Sequence, residues 1–435
     1  KLCSVWLARI RFFGGHAISI AGFVKNQQKV LKDYFAAISG SAGRLVFSLA
    51  YFVLLANTLS IAEFGLFATA SAAGVMLSRI LALGFTATLY RIATVKPRLL
   101  GTYAAGFILL AFISLPLLAL ASAAMYLVFF AADMPWLPFA LIVAAEALIW
   151  RLAETIIVVN NGLNRFGRAA TLVIIATAMR ALAAVFFAFV AVPDLFNWSL
   201  FYLTANATSL LIALAFFCPR QRLRLRPTLY WRRLSDALYV AGAEILFYIQ
   251  MELDKLLVLA IGGAQMAGIY AIIMRLVDLT AIPIRSFSML LVQRMMRAPE
   301  MLSRMKLRLG IEGGVFAVST LALLSLALIL TIYPTLLGRN VAEAAPLVML
   351  ALAVPGFRNL TEYQAELLFA RGQTFLRAVN LALLAGAKAA LLSFALTAFL
   401  DVKSLVLSLN VVFALLYLVS TALTYWALRR PAKRV

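Results

Sequence analysis

EALIWRLAETIIVV at residues 146–159 is apolar at ten of its fourteen positions, yet it contains Glu146, Arg151 and Glu154. Similar apolar stretches flank it on both sides. A charged side chain in the middle of such a stretch is costly, since a central Arg or Lys costs about 2.5–3.5 kcal/mol on membrane-insertion scales. The stretch therefore indicates a membrane helix that turns one face toward a polar interior.

The composition of the whole chain also indicates a membrane protein. Of 435 residues, 64% are hydrophobic and 13% are charged, whereas a soluble domain is about half apolar and a quarter charged. No single soluble core could absorb this excess, so lipid must solvate the outside. We therefore predict an all-α polytopic membrane protein.

Two residue counts and one missing motif argue against an enzyme. Cys3 and Cys218 are too few for a disulfide framework or a cysteine metal site, and His16 is the only histidine. The GxxxxGK[ST] pattern of ATP-hydrolysing proteins does not occur. We predict a secondary-type transporter that needs no cofactor.

Twelve windows of the sequence are long and apolar enough to cross about 30 Å of hydrocarbon. They lie at about 36–58, 64–90, 102–130, 137–159, 169–192, 198–218, 237–260, 267–291, 310–333, 345–369, 376–399 and 404–428. Short turns such as VPDLFN separate them.

The connecting loops alternate in charge. One set carries 28 basic residues, including the run PRQRLRLRPTLYWRR and the tail RRPAKRV, and the other set carries only Arg339 and Lys403. Because cytoplasmic loops concentrate Lys and Arg, this alternation predicts that both termini are cytoplasmic. It also explains the net charge of +22 without a nucleic-acid partner.

These patterns divide the chain into five parts. Residues 1–35 form a basic segment that we expect to lie in the membrane interface, since Arg9, Arg11 and His16 interrupt it. Residues 36–218 form a first lobe of six spans, and 237–428 form a second. The basic linker 219–236 joins the lobes, and the basic tail 429–435 follows them.

Nine basic residues fall inside the predicted spans: Arg44, Arg79, Arg151, Arg180, Lys255, Arg275, Arg285, Arg358 and Lys388. Their acidic companions are Glu146, Glu154, Glu244, Glu252, Asp254, Asp278, Glu362 and Glu366. Nine bases facing lipid would cost on the order of 25 kcal/mol. They must instead face one another or water inside the bundle.

Two interpretations of these charges stay open. The residues form helical faces, such as Arg358, Glu362 and Glu366 at i,i+4 spacing, and these could be structural ion pairs that hold helices together. Alternatively, the surplus bases line a water-filled cavity that accepts an anionic ligand. Arg79 and Arg285 lie near span ends, where such side chains can reach the interface.

The two halves of the chain resemble each other. EFGLFATA at 63–70 corresponds to MAGIYAII at 266–273, which aligns Gly65 with Gly268. NRFGRAATL at 164–172 corresponds to QTFLRAVNL at 373–381. Six spans separate each pair, so the repeats run parallel, and this predicts two pseudo-symmetric six-helix lobes around a central cavity.

Several of these motifs resemble one known family. AEFGLFATA at 62–70, LGFTATLYR at 83–91, GLNRFGRAATL at 162–172 and LDKLLVLAIGGAQMAGIYAIIMRL at 253–276 are similar to the Wzx-type polysaccharide transporters. These belong to the multidrug/oligosaccharidyl-lipid/polysaccharide exporter superfamily. The likeness covers about residues 36–430 and departs from the family pattern at Ala82-Leu83, where relatives often have an acidic or polar residue.

The resemblance implies a flippase of the bacterial inner membrane. Its ligand would be an undecaprenyl-diphosphate-linked oligosaccharide, moved by alternating access for O-antigen, capsule or exopolysaccharide synthesis. Membrane lipids, a polysaccharide polymerase and chain-length machinery would be its partners.

A cationic cavity suits a diphosphate, because Arg guanidinium groups bind phosphates through paired hydrogen bonds. We expect Arg151 and Arg358 to hold the diphosphate, assisted by Arg44 and Arg180. Arg275 and Lys388 would extend the positive field. Glu154 and Glu362 would restrain the arginines when the cavity is empty.

The energy source and three rival functions stay open. A proton or sodium ion could act at Glu244, Glu252 or Asp254, or charged cargo could follow the membrane potential. The main rival function is a cation- or drug-coupled antiporter of the same superfamily, which should have unpaired acids in its cavity. The others are a membrane-embedded glycan polymerase or ligase, and a scaffold subunit of a secretion complex.

Overall fold

The computed structural model describes residues 43–190, 192–297, 305–399 and 401–429. The side chains at 190, 282–283 and 285–297 lie outside this description. So do the predicted interfacial segment 1–35 and all but the first residue of the tail 429–435. All regular structure in the described part is helical.

The described residues form fourteen α-helices. In chain order these are α1 (Gly43–Thr58), α2 (Ile61–Leu77), α3 (Phe85–Val95), α4 (Leu100–Phe129), α5 (Trp136–Val143), α6 (Arg151–Gly162), α7 (Phe166–Val190), α8 (Leu195–Ile212), α9 (Pro227–Arg297), α10 (Met305–Ile332), α11 (Arg339–Val348), α12 (Val354–Ala370), α13 (Thr374–Ala398) and α14 (Val402–Leu428). A π-helical segment at Ala144–Trp150 joins α5 to α6.

Helical structure occupies the described part of each of the twelve predicted windows. By length and composition, seven described helices can cross a membrane, or up to nine when each of two bent pairs counts as one span. This count is below twelve for three reasons. α9 joins two predicted spans across a break at Gly263 (φ 77°), only 16 residues of the first span are described, and 136–162 carries three charges. The structure confirms an all-helical polytopic membrane protein.

Side chains at the turns define where several helices begin. Ser60 and Glu63 cap α2 reciprocally, as the S-x-x-E sequence favours. Glu63 also accepts a hydrogen bond from the backbone N–H of Leu195, at the start of α8. Asp194 and Asp401 cap α8 and α14 by accepting from the backbone N–H groups of Asn197 and Ser404. These polar turns satisfy backbone donors that lipid cannot satisfy.

Two of the predicted spans are sharply bent. The span that contains α2 and α3 turns by 54° at Leu81–Gly84, where Ala82, Leu83 and Gly84 all have positive φ. The Ala82 N–H donates to Ser114 Oγ at 3.0 Å, so the broken backbone is held by α4. The second bend, of 67°, lies between α11 and α12.

The two halves of the chain pack most closely where α2 crosses the second part of α9. A Cβ atom on Gly65 would lie 2.3 Å from Gly268 N, and one on Gly268 would lie 2.0 Å from the Ile61 carbonyl oxygen. Only glycine permits this approach. The two residues are those that the internal repeat aligns with each other, so equivalent positions of the two halves meet at this crossing.

A second contact between the halves lies beside this crossing, at the end of the bundle away from the basic loops. Asn57 donates to the Leu337 carbonyl oxygen at 2.8 Å. Asn340 donates to the carbonyl oxygens of Ala56 at 2.6 Å and Leu59 at 2.8 Å. These amide contacts hold the turn after α1 against the start of α11.

Candidate functional site

A cavity of about 240 Å³ lies between the two halves of the bundle, near the middle of the helices. Liquid water occupies about 30 Å³ per molecule, so the space holds several water molecules or a small charged group. The first half contributes α1, α2, α7, α8 and the π segment, and the second half contributes α9. Its lining is Arg44, Ser48, Tyr51, Phe52, Phe64, Phe67, Ala68, Ser71, Glu146, Thr177, Arg180, Tyr202, Lys255, Ala271, Arg275 and Asp278.

The charge of this central cavity is positive. Its wall contains four basic side chains, Arg44, Arg180, Lys255 and Arg275, and two acidic ones, Glu146 and Asp278. All six are among the intramembrane charges that the sequence singled out. The structure therefore brings six of those seventeen residues to one cavity.

Arg180 is positioned by aromatic and amide groups. Its Nε and Nη2 donate to Asn206 Oδ1 at 3.0 and 2.6 Å, and its guanidinium lies 4.4 Å from the centre of the Trp150 ring. The carboxylate of Glu146 is 3.9 Å away. Glu146 is itself held by hydrogen bonds from Ser71 (2.9 Å) and Tyr202.

Arg275 and Lys255 approach the cavity from α9. Arg275 donates to Ser48 Oγ on α1 and has no carboxylate within 4 Å in the described part of the chain. Lys255 Nζ contacts Glu252 one turn away at 2.5 Å. Both basic side chains are half-buried, so they retain access to the hydrated space.

A second group of charges, which we call the charged network, consists of Arg79, Arg151, Glu154 and Glu244. Arg151 contacts Glu154 at 2.8 Å and Glu244 at 3.3 Å. Arg79 contacts the same two carboxylates at 3.2 and 3.9 Å, and its guanidinium stacks 4.2 Å from the Tyr248 ring centre. The network joins the end of α2, α6 and the first part of α9, with both arginines buried and both carboxylates partly exposed.

The second half of the chain contains further pairs. Arg358 on α12 contacts Asp278 at 3.1 Å. Lys388 on α13 contacts Asp254 at 3.6 Å and donates to the Gln250 carbonyl oxygen at 2.5 Å. Tyr270 donates to the same Asp254 at 2.7 Å. These contacts tie α9 to α12 and α13.

Three predicted residues remain. Glu366 is paired with Arg377 at 2.6 Å, and Glu362 lies in the electrostatic field of Arg358. Arg285 belongs to α9, but its side chain lies outside the described part of the structure.

The cross-helix partners were not predictable from spacing. Arg79, Arg180 and Lys388 have no acid within a turn on their own helix, but each meets one from another helix. The π segment also separates the charges of the stretch 146–159. Glu146, within the segment, lines the cavity, whereas Arg151 and Glu154, on α6, belong to the charged network. Arg151 and Arg358, the expected diphosphate ligands, are not part of the cavity wall.

Sequence reasoning missed the uncharged polar residues that complete the cavity and one buried acid, Glu312. Ser48 and Tyr202 in the cavity wall, and Asn206, which holds Arg180, looked like ordinary span residues. A polar residue at mid-span with no charge gives little signal in a hydropathy pattern. Within the described ranges, no cluster of three or more His, Cys, Asp or Glu side chains could hold a metal ion.

Solved transporter structures superpose on nearly the whole chain. A multidrug resistance MATE family transporter of the MOP superfamily, in an inward-facing conformation, matches with a TM-score of 0.60 at 13% identity, over 89% of this chain and 96% of that one. A MOP superfamily transporter from Pyrococcus furiosus, whose reverse polarity of the binding pocket suggests a different function, matches with a TM-score of 0.62 at 12% identity, over 91% and 95%. The Vibrio cholerae MATE transporter VcmN in its bent form matches with 0.52 at 16% identity, over 92% and 97%.

No family model matches the sequence, and no curated protein is significantly similar to it in sequence. At identities of 12–16%, the structural likeness establishes the fold but not the cargo. The chain has the fold of the MOP superfamily transporters.

Proposed function

We propose that this protein is a MOP superfamily transporter that moves a polyprenyl-diphosphate-linked oligosaccharide across a bacterial inner membrane by alternating access. The observation that carries the proposal is the positive charge of the central cavity, which lies between the halves where an alternating-access transporter holds its cargo. Four basic side chains face two acidic ones there. An anionic cargo would neutralise this excess of positive charge.

The side chains available to the cargo favour a phosphate. Within the described part of the chain, Arg275 donates to Ser48 and has no carboxylate within 4 Å, and Arg180 uses two nitrogens on Asn206, so each guanidinium has donors left for phosphate oxygens. Arg side chains bind phosphate through planar, paired hydrogen bonds. Two arginines on opposite walls, one on α7 and one on α9, suit the two linked phosphates of a diphosphate.

The size of the cavity limits how much of the cargo it encloses. A site for a drug-sized ligand measures about 300–1,000 Å³, and this cavity measures about 240 Å³. It therefore takes the diphosphate and little else in the state described. A longer glycan requires the halves to separate further, as alternating access provides.

In the proposed cycle, Arg151 and Arg358 bind the cargo only in a state other than the one described. Both are held by carboxylates in this state, at 2.8 Å to Glu154 and 3.1 Å to Asp278. They reach a phosphate only if the cargo replaces those carboxylates. Such an exchange would give the cargo different contacts in two states, which any ligand-driven state change requires.

The antiporter alternative is less well supported by the same cavity. A cation- or drug-binding cavity should offer unpaired carboxylates. Here Glu146 accepts from Ser71 and Tyr202 and faces Arg180, and Asp278 contacts Arg358. The Pyrococcus furiosus neighbour is a case in which reverse polarity of the binding pocket suggests a different function within this superfamily.

Binding of a short polyprenyl diphosphate tests the proposal. We expect purified protein in lipid nanodiscs to bind farnesyl diphosphate, and the Arg180→Gln/Arg275→Gln double variant to bind it at least tenfold more weakly in isothermal titration. A charge-assisted hydrogen bond is worth about 1.5–3 kcal/mol, and about 1.4 kcal/mol is tenfold in affinity. Arg91→Gln/Arg165→Gln, at exposed positions on α3 and in the turn before α7, is the matched control and should bind like the wild type.

Two outcomes would overturn the proposal. One is binding of farnesol as tight as that of farnesyl diphosphate, since the phosphates would then contribute nothing. The other is a double variant that binds the diphosphate like the wild type. A reconstituted vesicle assay with a fluorescent undecaprenyl-diphosphate glycan then measures transport itself.

A further inference from the structure

The two halves of the chain exchange helix caps at the end of the bundle away from the basic loops. α11 begins after Gly338, a residue with no side chain to cap the helix. Asn57, at the end of α1 in the first half, supplies the cap, because its Oδ1 accepts from the backbone N–H of Asn340 at 3.1 Å. This N–H is the second of α11, one of the positions that an N-cap side chain normally satisfies.

Asn340 caps α1 in return. Its Nδ2 donates to the carbonyl oxygens of Ala56 at 2.6 Å and Leu59 at 2.8 Å, which lie in the last turn of α1 and just after it. The last carbonyl groups of a helix have no partner within that helix. Each half of the chain therefore completes the end of a helix that belongs to the other half.

Glycine at position 338 makes this exchange possible. Its φ is 97°, and a Cβ atom there would lie 2.0 Å from Asn57 Nδ2. The amide of Asn57 thus lies directly against the backbone of the turn, where it also donates to the Leu337 carbonyl oxygen at 2.8 Å. Any side chain at position 338 would displace the amide.

The exchanged caps lie beyond one end of the central cavity. Phe52 of the cavity wall is on α1, and Asn57 follows it by five residues, about 7.5 Å along the helix axis. Phe64 on α2 is also part of the wall, so the turn that the caps hold joins two helices of the wall. Fixing this turn to α11 holds the two halves together on that side of the cavity.

We propose that Asn57 and Asn340 form a latch that keeps this end of the bundle closed and releases when the halves separate there to expose the cavity. The inference rests on alternating access, which is part of the proposed function. Both amides are half-buried, so water can replace each hydrogen bond as the halves part. Because the net gain from a hydrogen bond that water can replace is small, such a contact opens and closes reversibly.

Distances between spin labels test the latch. They are measured by double electron–electron resonance on the protein in nanodiscs without cargo, after both native cysteines are replaced by alanine. One pair of labels, at Asp133→Cys and Lys403→Cys, joins exposed positions of the two halves at the latch end. A second pair, at Arg165→Cys and Thr374→Cys, joins exposed positions at the end of the basic loops.

In Asn57→Ala/Asn340→Ala we expect a second, longer distance at the latch end. The ratio of open to closed molecules should rise at least tenfold, the equivalent of about 1.4 kcal/mol, and the distance at the other end should not lengthen. Asn410→Ala is the matched control and should leave both distances unchanged. Asn410 accepts from the Ala353 N–H at 3.0 Å and donates to the Leu350 carbonyl oxygen at 2.5 Å, a cap of the same kind within the second half.

Three results would overturn the proposal. No longer distance at the latch end would show that the crossing of α2 and α9 closes this end without the amides. Lengthening at both ends would show a general loss of packing, and an equal change in Asn410→Ala would show that any cap between helices has this effect. If the double variant does not fold, Asn340→Ala alone decides among the same outcomes. Because cargo is absent, failure of the latch is distinguishable from failure of farnesyl diphosphate binding.

Discussion

The charged network and the central cavity use the same residue types in different surroundings. In the network, Arg79 and Arg151 are 6% and 2% exposed and share the carboxylates of Glu154 and Glu244. In the cavity, Arg275 is half-buried and contacts Ser48 rather than a carboxylate. The carboxylates within reach of each base, rather than the presence of arginine, distinguish Arg275 from the arginines of the network.

This difference shows why a count of intramembrane charges does not locate a binding site. A buried guanidinium that is matched by carboxylates holds helices together and has little attraction left for a ligand. A guanidinium that is matched by a hydroxyl keeps its charge available. Three substitutions test this difference between the two regions. The first removes a network arginine, the second shifts α2 against α9 beside the cavity, and the third places a carboxylate next to a cavity arginine.

The largest effect is expected from Arg151→Ala. The change leaves Glu154 and Glu244 with Arg79 alone, and both carboxylates are partly exposed, so we expect the lower end, about 3 kcal/mol, of the cost of breaking a buried ion pair. We expect a loss of unfolding free energy of this size, measured by denaturant unfolding in detergent. Arg165→Ala, at an exposed loop position, should change it by less than about 0.5 kcal/mol. An equally stable Arg151→Ala variant would show that the network is not structural.

An intermediate effect is expected from Gly268→Ala, which acts on the crossing of α2 and α9 beside the cavity. The new Cβ atom would lie 2.0 Å from the Ile61 carbonyl oxygen, so backbone must move, and overpacking costs about 1–3 kcal/mol. We expect a lower melting temperature. Gly313→Ala on α10 is the matched control, because its Cβ meets nothing within 4 Å. Equal melting temperatures would contradict the crossing.

The smallest effect is expected from Ser48→Asp. This change places a carboxylate beside Arg275, so that Arg275 is paired as the network arginines are. The new carboxylate would pair with Arg275 and compete with phosphate oxygens. We expect farnesyl diphosphate affinity to fall about tenfold, the equivalent of about 1.4 kcal/mol, with stability unchanged. Ser48→Ala controls for the lost hydroxyl. Should both variants bind alike, Arg275 is not a ligand-facing group.

Much of the architecture was predictable because hydropathy and helix length are local properties. Each predicted window contains helix in its described part. The alignment of Gly65 with Gly268 came from a weak internal repeat, and these two glycines touch across the halves. The sequence also named all four basic residues of the cavity wall.

The division of those charges between network and cavity was not predictable. It depends on which helices are neighbours and on how each is rotated. The π segment Ala144–Trp150 adds to the difficulty, because it changes the rotation between Glu146 and Arg151 that a regular helix would give. Glu312 lies only two positions inside the predicted span 310–333 and was not counted among the intramembrane acids. Its partners Gln364 and Tyr417 come from two later helices, so spacing did not bring them together.

The sequence by itself determined that this chain is a helical membrane protein with costly charges inside it, because apolar length and burial cost are summed along the chain. The tertiary structure alone decided which charges neutralise one another and which face an open cavity. The physical reason is that electrostatic energy depends on distances of a few ångströms between side chains on different helices. Those distances are set by helix packing, not by spacing along the chain.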